Sequence, residues 1–191
     1  MTRSRGVLFS ACFLLLLISF PVFAADTDGD GLTDDVEFQL GSSATHKDIF
    51  VYANFMIWNG KSQRPRGNFV KIIESVFSTA PVNNPDGTTG ITIHIQFGSP
   101  IRTSGNNGVI FSWEQFDTLK NRYFPASKRG THHYCIFAGA LGDIETGEIV
   151  TVSGVSRNGA AFRQGASDFV VSLGTGGWFN YPTAADFKWT Q

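Results

Sequence analysis

Asp48-Ile-Phe-Val-Tyr-Ala-Asn-Phe-Met56 is apolar at nearly every position and rich in β-branched and aromatic residues. A strand with one wet face alternates apolar with polar side chains, so a run without alternation belongs to a strand covered on both faces. The stretch predicts a central strand. Downstream, Pro65-Arg-Gly-Asn-Phe69-Val70-Lys-Ile72-Ile73-Glu-Ser-Val76-Phe77 repeats apolar residues at three- and four-residue spacing, which predicts a helix covering one side of the sheet. Asn83-Asn-Pro85-Asp86-Gly87 marks a turn, and Ile91, Ile93, Ile95 and Phe97 then alternate with Thr92, His94 and Gln96 as a second strand. Gly98 to Val109 reads as a glycine-rich loop. Ser112-Trp-Glu-Gln opens a second helix with a Ser-to-acid/amide spacing one residue short of an ideal capping box. Trp113, Phe116, Leu119 and Tyr123 form its apolar stripe, and Pro125 ends it. Tyr134–Ala138 and Asp168–Leu173 read as two further inner strands, joined by a long polar connection from Gly139 to Gly165. No internal repeat occurs. The fold class is α/β (α+β): a mixed, twisted sheet with two covering helices.

The first residues read as an export leader. Arg3 and Arg5 precede an apolar run from Val7 to Phe20, and Pro21-Val-Phe-Ala24 supplies small residues before Ala25, the pattern of a signal peptide cut after Ala24. A membrane span needs about 20 apolar residues, more than this run offers, and nothing downstream approaches that length. The expected product is secreted or periplasmic, with no membrane association after cleavage. Cys12 lies within the apolar run rather than at its end, which disfavours a lipoprotein anchor. Its removal leaves Cys135 as the single thiol, flanked by Ile136 and Phe137 as expected of a buried strand position. Without residues 1–24 the chain has 167 residues, 13 basic against 16 acidic side chains, and a net charge of −3. That length supports one domain with a real core, and the absence of a basic stripe argues against nucleic acid as a partner. Eighteen phenylalanines call for a dense core or for surfaces that are covered.

Directly after the cleavage point stands Asp26-Thr-Asp28-Gly-Asp30-Gly31-Leu32-Thr-Asp34-Asp-Val-Glu37. Acidic groups fall at loop positions 1, 3, 5, 9 and 12 with glycine at 6, the spacing that lets a calcium loop gather hard oxygen ligands around a tight turn. Candidate ligands are Asp26, Asp28, Asp30, the Leu32 carbonyl, Asp34 and Glu37, with Ca²⁺ as the cofactor. The first ligand lies next to the cleavage point, so no helix enters the loop, and Thr33 at position 8 replaces the apolar residue usual in paired hands. A paired helix-loop-helix switch is therefore not expected; the loop reads as an accessory that rigidifies the new N-terminus. Gly41-Ser-Ser-Ala-Thr45 is a polar link. The organisation expected is residues 1–24 as leader, 25–41 as calcium-binding segment and 46–191 as one α/β domain.

Four stretches carry a family likeness: His46-Lys-Asp-Ile-Phe-Val51, Pro81-Val-Asn-Asn-Pro-Asp-Gly-Thr-Thr-Gly-Ile91, His133-Tyr-Cys-Ile-Phe-Ala138 and Ser167-Asp-Phe-Val-Val-Ser-Leu-Gly174. Together they resemble the non-catalytic half of secreted bacterial zinc metalloproteases of the zincin type. In those relatives an Asp-rich calcium segment often precedes the domain, and the last strand leads into a helix bearing His-Glu-x-x-His. Two histidines four apart on one helical face bind zinc while the glutamate activates the metal-bound water. That motif is absent from the 191 residues. The four histidines do not replace it, since His132 and His133 are adjacent and His46 and His94 lie far off in sequence. Each is assigned an ordinary hydrogen-bonding or surface role, and no zinc ligand or catalytic residue is named.

Neither a nucleophile elbow nor a phosphate loop with a following lysine is present, and Cys135 in a strand lacks the access a thiolate nucleophile needs. The resemblance implies an incomplete domain, inactive alone, whose Phe169–Leu173 strand lacks the cover of the active-site helix. Such a chain is marginally stable, or takes a protein partner on the bare sheet face, or is completed by a second polypeptide carrying the zinc helix. The alternative is a secreted calcium-dependent module that docks protein or glycan, motivated by Trp178, Phe179, Tyr181, Phe187 and Trp189.

Overall fold

The computed structural model describes residues 24–58, 60–65, 67–102, 108–150, 152–157 and 168–172. Residues 1–23 of the expected leader and the aromatic residues between 178 and 189 lie outside the described residues. The predicted central strand is β1 (Asp48–Trp58). It runs parallel to β3 (Thr92–Ile101) on one side and to β5 (His133–Phe137) on the other. Beyond β5 come β9 (Asp168–Val171), also parallel, and β8 (Gly154–Ser156), antiparallel to β9. A short β2 (Lys61–Ser62) folds back antiparallel onto the end of β1. The sheet is thus mixed, in the order β3-β1-β5-β9-β8, and the α/β class is borne out.

Because β1 is covered on both sides, its alternate residues feed two cores. Tyr52 and Met56 face the same cluster as Tyr134, Ile136 and Val170, closed by Phe116 and Leu119 of α3 (Trp113–Tyr123). Val51, Ala53 and Phe55 face the other, with Cys135 and Phe137, where Ile73 and Phe77 of α2 (Gly67–Ser78) pack. The two helices therefore lie on opposite faces, α2 over the β1–β3 side. Each large apolar side chain so buried contributes about 1.5–3 kcal/mol. The faces are not equally closed: Val170 is 2% exposed, whereas Phe169 and Val171 beside it are half-buried.

Ser112 caps α3 by accepting the Gln115 N–H (3.2 Å), so the spacing taken as one residue short is in register. The Gln115 side chain takes the Phe111 N–H and donates to the Val109 carbonyl, tying the helix start to the chain before it.

Two expectations are corrected. Gly98 does not begin a loop, because β3 continues to Ile101. Its glycine and proline were read as breakers, but among the described residues β3 pairs only with β1, and an edge strand tolerates the missing N–H of Pro100. A Cβ on Gly98 would come within 2.6 Å of Asn54 Nδ2, where the β1–β3 register shifts between Ala53 and Phe55. The polar connection from Gly139 to Gly165 also contains structure. Besides β8 it holds β6 (Ala140–Gly142) and β7 (Ile149–Val150), which form a small second sheet with β4 (Val109–Ile110). Strands of two or three residues are too short to show periodicity. Among the described residues no helix is long and apolar enough to cross a membrane.

Candidate metal centre

The segment Asp26–Glu37 folds as a tight turn leading into α1 (Asp34–Leu40). Gly29 and Gly31 take φ of 74° and 99°, a region open to glycine without strain. Asp26 accepts the N–H groups of Gly29 (2.8 Å) and Gly31 (3.1 Å), Asp28 that of Asp30 (3.1 Å), and Asp30 that of Leu32 (2.8 Å). These bonds aim the carboxylates at one another. One oxygen each from Asp26, Asp28 and Asp30 lies within 4.8 Å of the others, and so do oxygens of Asp30, Glu37 and Asp48. Oxygens that share one Ca²⁺ stand no more than about 4.6–5.2 Å apart, twice the usual ligand distance, so each group is spaced as the ligands of one ion are, and Asp30 belongs to both.

Burial adds an independent observation. Glu37 is 0% exposed and neither of its carboxylate oxygens has a hydrogen-bond partner; Asp28 is 5% exposed and its Oδ2 is also unpartnered. Among the described residues no lysine or arginine forms an ion pair with Asp28, Asp30, Glu37 or Asp48. An ionised carboxylate removed from water without a counter-charge is among the most unfavourable arrangements in a protein. Burial first, and then the charges of Asp28, Asp30 and Asp48, push the Glu37 carboxyl up to about 7. Burial and then Asp30 raise Asp28 as well, against the opposing charge of Lys47. The residues can hold a metal ion, and hard oxygen donors suit a hard divalent cation.

The structure brings together Asp26, Asp28, Asp30 and Glu37 of the predicted ligands. For Leu32, predicted to offer its carbonyl, the bond the structure gives is its N–H donated to Asp30. Asp34 stands in neither group: its carboxylate accepts the N–H and the hydroxyl of Thr27, both at 2.8 Å, which closes the loop from outside. Asp48 was missed by sequence reading. It opens β1, is 6% exposed, donates its N–H to Asp30 Oδ2 (2.8 Å) and bonds His94 Nε2 through Oδ1. No signal in the sequence marks it, because a lone aspartate before an apolar strand is ordinary.

Two of the histidines make hydrogen bonds to neighbouring side chains. His46 bonds Asp86, Thr88 and Asn84, and His132 is 8% exposed with its Nδ1 on the Thr131 hydroxyl. Burial, with Lys128 nearby, holds the His132 imidazole down to about 4. Neither metal-capable group among the described residues includes a histidine. No protein-family model, curated protein or solved structure matches the chain.

Proposed function

We propose that this is an exported calcium-binding protein on a zincin-like scaffold, inactive as a peptidase by itself. The observation that carries the calcium reading is Glu37, fully buried with two unpartnered carboxylate oxygens at the twelfth position of the loop. A Ca²⁺ ion supplies the missing charge and accepts a bidentate carboxylate at that position. The zincin likeness rests on the four quoted stretches, and the half-buried Phe169 and Val171 are in keeping with a sheet face meant to carry a further element. Calorimetric titration of chelator-treated protein tests the calcium reading: one calcium per chain is expected, and no binding at millimolar calcium rules it out. Zinc-dependent cleavage of casein by the pure chain would end the inactive assignment.

A second reading, a calcium-dependent binding module, is favoured by one observation. A cleft of about 380 Å³ opens beside the acidic cluster, with Leu40 of α1 and His94, the partner of Asp48, in its wall. Arrays of peptides and glycans probed with and without calcium test it, and binding indifferent to calcium removes it.

A further inference from the structure

We infer that Asp48, the first residue of the central strand, is a ligand of the loop's cation, so that the ion staples the N-terminal loop to the sheet. This rests on the calcium reading above. The loop alone supplies Asp26, Asp28, Asp30 and Glu37, all within one local turn of chain. Asp48 comes from another element, yet its carboxylate lies within 4.8 Å of those of Asp30 and Glu37. Its backbone N–H donates to Asp30 Oδ2, so loop and strand are already joined 18 positions apart. His94 engages one of its two oxygens, Oδ1. Three carboxylates packed this closely, two of them buried and none paired with a lysine or arginine, repel one another until a cation stands between them.

His94 is a positioning residue. Its ring stacks on Phe50 (4.3 Å between centroids, 7° between planes), which fixes the plane from which Nε2 meets Asp48. A partner that orients a metal-binding carboxylate typically matters nearly as much as the ligand. Through this bond the ion's influence reaches β3 as well as β1, because Phe50 and His94 are register partners. Calcium then acts on the sheet as well as on the loop.

The test uses the full chain and calcium itself, read by calorimetry and by hydrogen exchange. In the unaltered protein, calcium is expected to slow exchange at residues 26–37 and at the start of β1 together. Asp48→Asn is expected to weaken calcium binding by more than about tenfold and to abolish the added protection of β1, while the calcium-free melting temperature stays equal or rises. His94→Gln, which leaves every proposed ligand in place, is expected to weaken binding by about tenfold. Wild-type affinity in both variants, with the protection of β1 retained, overturns the inference and leaves the calcium reading standing. No calcium binding by the unaltered chain overturns both.

Discussion

Two buried carboxylates, Asp168 and Glu37, meet opposite solutions to the same problem. Asp168 opens β9 with its side chain 0% exposed, and Lys120 of α3 reaches both of its oxygens at 2.7 and 2.8 Å, with Arg157 at 3.7 Å. Glu37 is as deeply buried and its carboxylate oxygens have no hydrogen-bond partner. At Asp168 the protein brings its own counter-charge, and the pair ties helix to strand. At Glu37 no lysine or arginine among the described residues forms an ion pair. The proposed calcium site rests on a buried acidic side chain without a partner, and this contrast separates it from a buried ion pair.

The contrast can be broken most forcefully at its self-contained end. Lys120→Met is expected to lower stability by about 3 kcal/mol, because it strands a buried charge with only the more distant Arg157. Calcium affinity should be unchanged; a denaturant titration showing under about 1 kcal/mol of loss would place Asp168 among ordinary surface pairs. The reverse pattern is expected at the other end. Glu37→Gln should weaken calcium binding by about a hundredfold while leaving the metal-free protein as stable as its parent or more so. Titration calorimetry with parallel melts reads both, and a destabilised metal-free variant would count against the calcium reading of Glu37.

Proton binding sharpens the comparison further. The Glu37 carboxyl titrates near 7 in the folded protein against an ordinary 4.5, so the folded state holds this proton more tightly than the unfolded chain does. Its contribution to metal-free stability is complete below about pH 4.5 and is lost as pH rises through about 7. In chelator the parent should fall behind Glu37→Gln across that window; melting profiles that run parallel would remove the effect. The smallest change is expected at Asp34, whose oxygens are taken by Thr27: Asp34→Asn should shift calcium affinity less than about threefold. A loss as large as that of Glu37→Gln would return Asp34 to the first rank of ligands.

Much of the fold was legible because it depends on local pattern. β1 announced itself by unbroken apolarity, α2 and α3 by their stripes, and the acidic residues of the loop by a spacing that closes within twelve positions. Non-local features left no mark. Asp48 joins the cluster only when β1 lies beside the loop, and Asp168 finds Lys120 from 48 positions away. Gly98 and Pro100 looked like the end of a strand because the sequence does not say that β3 is an edge, nor that Tyr52 and Asn54 crowd its glycine. That α2 and α3 take opposite faces follows from strand order, which periodicity does not encode.

Cys135 has a practical consequence of its own. It lies on β5 beside Ala53 and Phe169, fully buried, and burial holds its thiol well above the ordinary range. It is the only thiol of residues 25–191. A thiol reagent can therefore react only when the sheet opens, and each modified molecule records one opening. If calcium staples loop to strand, labelling at Cys135 should slow when calcium is added and should not slow in Asp48→Asn. The chain carries a clock for its own breathing, set at the centre of the sheet and read without adding any probe to the fold.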